Sequence, residues 1–69
     1  MSSNKWVLLS AYQQEYKSAI LAASLEAKEI AYKMIDKVDS AFNFVGQVEI
    51  YVRQSDYITA LHVKENLEL

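Results

Sequence analysis

Hydrophobic positions along this chain recur at strand spacing, then at helical spacing, then twice more at strand spacing on either side of a loop, and finally at helical spacing again. Lys5 to Ala11 is dense in bulky apolar residues and short enough to be a strand. Alternation puts Val7, Leu9 and Ala11 on one face and Trp6, Leu8 and Ser10 on the other, so neither face is plainly made for water. Ser10 and Gln13 have the spacing of a capping box, which predicts a helix running from there to Lys28 or Glu29. Ala, Leu, Glu, Lys and Gln dominate this stretch and no proline interrupts it. Two apolar stripes run along the helix on nearly opposite sides. One holds Tyr16, Ala19, Ile20, Ala23 and Ala27, and the other Ser18, Leu21, Ala22 and Leu25. One stripe can cover a sheet, leaving the other to a second helix, a partner subunit or water.

Ile30 to Asp36 reads as a second strand, with Ile30, Tyr32 and Met34 opposed to Ala31, Lys33 and Ile35. Lys37 to Gly46 then loses all period. Asp39, Ser40 and Asn43 favour turns, and Gly46, the single glycine, closes a hairpin loop. Gln47 to Val52 shows the cleanest alternation in the chain, with Val48, Ile50 and Val52 inward and Gln47, Glu49 and Tyr51 outward. Ser55 and Asp56 can cap a last helix, Ser55 to Leu67, carrying Ile58, Ala60, Leu61, Val63 and Leu67.

The order β-α-β-β-α predicts a single α+β domain over 1–69, with 1–4 as a flexible lead-in. A right-handed crossover makes the first two strands parallel, which places the third between them and antiparallel to both, with both helices on one face. This is the ferredoxin-like arrangement without the final strand that would pair beside the first. The first strand, the most apolar in the sequence, is then expected to be a free edge, and proteins seldom leave such an edge uncovered. Trp6 to Ser10 is therefore expected either to pair with a subunit or partner, or to be covered by the loop phenylalanines Phe42 and Phe44.

A chain of 69 residues buries roughly 60% of the surface its unfolded form exposes, so its core is modest. With no cysteine, neither disulfides nor thiolate-metal sites can reinforce it, and packing or oligomerisation must do so. A net charge of -2 gives no electrostatic reason to seek phosphate backbones or anionic lipid, so neither nucleic acid nor a membrane is expected as partner. Apolar runs such as Trp6-Val7-Leu8-Leu9 fall far short of the ~20 residues of a bilayer span. A reducing, cytoplasmic setting is the expectation.

Few residues here suggest reaction chemistry. His62 is the one histidine, and Ile58 and Asn66 occupy the four-residue spacings around it, so neither a metal nor a general base has partners there. Glu26 and Glu29 lie three apart on one helix and read as a solvated face. Ser10, Ser18, Ser24, Ser40 and Ser55 have no histidine near them in sequence, and one glycine cannot shape a phosphate-binding loop. The expectation is no enzyme activity and no cofactor.

Trp6-Val7-Leu8-Leu9, the helix end Leu25-Glu26-Ala27, Ile30, and Gly46-Gln47-Val48-Glu49-Ile50-Tyr51-Val52 leading into Asp56-Tyr57 and Ala60-Leu61 resemble the family of short bacterial domains described as prokaryotic signal transducing proteins. The family's function is undetermined and its fold is likened to the nitrogen-regulatory PII proteins. The resemblance spans about Lys5 to Leu67, and it implies the architecture above and a regulatory role. Glu29 and Ala31 stand where the family has glycine and proline.

Five tyrosines, one tryptophan and two phenylalanines are many for so small a domain, and aromatics concentrate at interfaces. Trp6, Leu8, Ile35 and Tyr51, with Phe42 and Phe44 from the loop, are the candidate interface. The leading expectation is a small regulatory or adaptor module that self-associates and binds a protein or small ligand through the open sheet face or the first-strand edge. A structural homo-oligomer with no other partner is the alternative.

Overall fold

A computed structural model of the protein describes residues 5–37 and 47–67. In chain order the elements are β1 (Trp6–Tyr12), α1 (Glu15–Ala27), β2 (Tyr32–Lys37), β3 (Gln47–Arg53), a 3-10 turn (Gln54–Asp56) and α2 (Tyr57–Leu67). The strands form one sheet in the order β1-β3-β2, with β3 antiparallel to both neighbours. This is the α+β layout that the hydrophobic periods predict. The alternation in β3 explains why it sits in the middle: Val48, Ile50 and Val52 are buried, and Ile50 and Val52 lose all contact with solvent. Burying each such side chain stabilises the fold by roughly 1.5–3 kcal/mol. Around them, Leu21 and Leu25 of α1, Ala60 and Val63 of α2, Leu9 and Ile30 complete a single core, so both helices lie against the same face of the sheet.

β1 departs from simple alternation. Leu8 pairs with Tyr51 and Ser10 with Ile50, so Leu9 is an extra residue inserted into the ladder, a β-bulge. The bulge reverses the faces beyond it. Val7 shares the face of Val52, but Ser10 and Tyr12, opposite Ile50 and Val48, also lie on the helix side, while Ala11 joins Trp6 and Leu8 on the open side. The expected grouping of Ser10 with Trp6 and Leu8 is thus corrected by the register. Tyr12 packs against the core, and its buried hydroxyl has no hydrogen-bond partner among the described residues.

Ser10 also lies inside the strand, so the expected capping box does not form. Helix α1 begins at Glu15 after an N-cap Gln14 in extended conformation that makes no side-chain capping bond. Of its two stripes, Ser18, Leu21, Ala22 and Leu25 face the core, and Tyr16, Ala19, Ile20, Ala23 and Ala27 face outward, with Tyr16 60% exposed. Ser18 can be buried because its hydroxyl donates to the Glu15 carbonyl at 2.7 Å. The helix ends as a Schellman motif: Ile30 N–H donates to the Leu25 carbonyl at 2.9 Å, and Glu29 N–H to the Glu26 carbonyl at 2.9 Å. The residue that turns the chain is Glu29, with φ of 60°. A glycine would adopt that conformation without the Cβ clash that costs about 1–2 kcal/mol. Ile30, expected to open β2, is instead the buried residue that fastens this turn, and β2 starts at Tyr32. In α2, Ala60 and Val63 are buried, whereas Ile58, in its first turn, is 63% exposed.

Candidate interaction surface

β1 forms one border of the sheet, and its backbone is half used. Gln54 N–H donates to the Lys5 carbonyl at 2.8 Å, which continues the β1·β3 ladder by one pair. Hydrogen-bonded and non-bonded pairs alternate in an antiparallel ladder, so Val7 and Val52 exchange bonds, whereas Trp6 and Leu8 turn their N–H and C=O groups away from β3. No strand among the described residues receives them. Beside this border runs an open groove of about 460 Å³ lined by Val7, Leu8, Gln54, Tyr57 and Ile58. It is mainly apolar, with Gln54 and the Tyr57 hydroxyl as its polar groups. Leu8 is 47% exposed on one of its walls, and Ile58 at the start of α2 stands on another. The 3-10 turn that leads from β3 into α2 is what brings Tyr57 and Ile58 alongside β1.

The face of the sheet opposite the helices carries Trp6, Leu8 and Ala11 from β1, Lys33 and Ile35 from β2, and Glu49, Tyr51 and Arg53 from β3. Four of the expected interface residues, Trp6, Leu8, Ile35 and Tyr51, therefore do share this surface. Phe42 and Phe44 lie outside the described residues. Leu8 and Ile35 are exposed, while Trp6 and Tyr51 are half-buried. The cover over Trp6 is cationic: Lys33 Nζ stands 4.7 Å and Arg53 Cζ 5.5 Å from its ring centroid. Sequence reasoning missed both cations, because the contact joins residues from three strands and exists only once the register is fixed. The Tyr51 hydroxyl donates to Glu49 Oε1 at 2.8 Å.

Elsewhere the chemistry is sparse. Glu26 and Glu29 line a shallow cleft with Ile30, Ala31 and Tyr32 at the end of α1. The Tyr32 hydroxyl donates to Glu26 Oε2, and this bond, aided by desolvation and the carboxylate's charge, holds the tyrosine above its ordinary pKa. His62 is exposed on α2. Among the described residues no three His, Cys, Asp or Glu side chains converge as metal ligands, and no helix is long and apolar enough to cross a membrane.

Comparison with known proteins leaves this geometry to stand by itself: no family model, curated protein or solved structure matches the chain.

Proposed function

We propose that the protein is a small non-enzymatic regulatory or adaptor module, ferredoxin-like in layout without the last strand, that self-associates by joining the β1 borders of two copies. The joined sheet leaves its open face to a partner. The observation that carries this reading is the β1 border itself: seven residues without a charge, outward N–H and C=O groups at Trp6 and Leu8, and the apolar groove at Val7, Leu8 and Ile58. Two copies related by a two-fold axis at Val7 would pair Trp6 of each with Leu8 of the other and end the ladder where the Leu9 bulge bends the strand. The groove lies beside Val7 and Leu8, so Tyr57 and Ile58 of each copy would close over the joint. The resemblance to short bacterial signal-transducing domains agrees with a regulatory role.

Light scattering tests this. The unaltered chain is expected to associate as concentration rises, and Leu8→Lys, which sets a charge beside the joint in both copies, to weaken association by at least tenfold. Ile35→Lys, on the same face but on the opposite border, should leave the particle mass unchanged. A chain that stays monomeric at high concentration, or equal effects of the two substitutions, overturns the reading. A second reading is a structural assembly subunit with no other partner: Lys33 and Arg53 already cover the Trp6 ring, the largest apolar side chain of the open face, so the β1 joint alone would account for the exposed apolar surface.

A further inference from the structure

The geometry points to the Trp6 end of the open sheet face as a binding site for an acidic peptide segment of a protein partner; this rests on the reading of that face as a partner surface. The chain as a whole is acidic, with a net charge of -2, yet here the fold gathers two cations from separate strands onto one indole. Neither Lys33 nor Arg53 has a carboxylate partner among the described residues. Glu49, the acidic residue of this face, lies further along β3 and accepts from Tyr51. Both cations are exposed, so their charges remain available to a ligand while their side chains rest on the ring. Exposed Leu8 on β1 and Ile35 on β2 supply apolar contact on the same face, at the registers of Tyr51 and Glu49. A peptide bearing two or more carboxylates matches this arrangement in charge and in its need for flanking apolar surface. A nucleic-acid strand fits less well, since two cations can neutralise at most two phosphates and would leave binding weak at ordinary salt.

Trp6 is the one tryptophan, so its emission reports on this site alone. The full chain is titrated with hexaglutamate, with hexaglutamine as the uncharged control and oligothymidylate as the nucleic-acid arm, and the heat of binding is recorded in parallel. Hexaglutamate is expected to change the emission saturably and hexaglutamine to leave it unchanged. Added salt should weaken the effect. The double substitution Lys33→Gln and Arg53→Gln should weaken binding about tenfold by heat as well as by fluorescence. No response to hexaglutamate, an equal response to hexaglutamine, or binding untouched by the double substitution overturns the proposal, as does tighter binding of oligothymidylate. Repeating the titration on Ile58→Lys, which charges the groove beside the β1 joint and lies off the open face, separates the two claims. Hexaglutamate binding with a monomeric particle supports the peptide site whatever becomes of the β1 joint, and a dimer blind to hexaglutamate refutes the site while leaving the joint intact.

Discussion

The two borders of the sheet are built from opposite materials. β1 offers Trp6-Val7-Leu8-Leu9-Ser10-Ala11-Tyr12, without a charge, whereas three of the six residues of β2, Lys33, Asp36 and Lys37, are charged. By register Asp36 falls on the helix-side face, and a charge directed that way is one of the devices by which proteins stop a border strand from recruiting another. β2 is also tied at its start, through the Tyr32–Glu26 bond and the Schellman turn before it. β1 has one such device, the Leu9 bulge, and it sits past the stretch where the apolar groove runs. The contrast teaches that the absence of charge along β1 is local. A chain with 16 Lys, Arg, Asp and Glu residues leaves one strand bare, and that strand is a border.

Proline breaks the comparison most sharply. Val7 gives its N–H to the ladder with β3, so Val7→Pro removes a bond inside the sheet and leaves its acceptor unpaired, which should cost about 1–3 kcal/mol, a large share of the stability of so small a domain. Leu8 directs its N–H outward, so Leu8→Pro should keep the fold while blocking an added strand. Thermal melts by circular dichroism, read beside particle mass, check both. If Leu8→Pro melts as low as Val7→Pro, the assigned register is wrong.

A smaller effect sharpens the β2 side. Glu29→Gly should raise stability by about 1 kcal/mol, because the turn into β2 already demands the left-handed backbone that glycine adopts freely. Denaturant unfolding at constant slope would show it, and association at β1 should not change. The smallest effect is that of pH. Because the folded protein holds Tyr32 protonated more tightly than the unfolded chain does, the contribution of its bond to Glu26 is complete below the ordinary tyrosine pKa of about 10 and is lost as pH rises through the higher folded value. Tyr32→Phe should abolish that alkaline loss, which paired melts on the two sides of this range would reveal.

How far the sequence discloses these features depends on whether each is local. The alternation in β3 is legible because one face is buried and the other is not, and the strand order follows from that with the crossover rule. The exposure of Leu8 and Ile35 on one surface follows in turn. The Leu9 bulge leaves no trace, since the run from Trp6 to Leu9 is apolar at every position and a shift in register changes nothing in its pattern. The faces of α1 are ambiguous for a related reason, as alanine and bulky aliphatics occur on both, Ile20 on one and Leu21 and Leu25 on the other, and a hydroxyl bonded to its own helix lets Ser18 go inside while Tyr16 stays out. Ser10 mimicked a helix cap because capping spacing is silent about whether a strand still needs the residue. The cations on Trp6 were invisible because they belong to the assembled sheet and to no segment of it.

Amide hydrogen exchange on the full chain, followed residue by residue at low and high protein concentration, tests most directly whether β1 is the border that recruits a second copy. The N–H groups of Trp6 and Leu8 should exchange quickly when dilute and slow markedly as concentration rises, while the outward N–H groups of Tyr32, Met34 and Asp36 on β2 stay fast throughout. Rapid exchange of Trp6 and Leu8 at every concentration, or slowing that appears at β2 instead, would contradict the account.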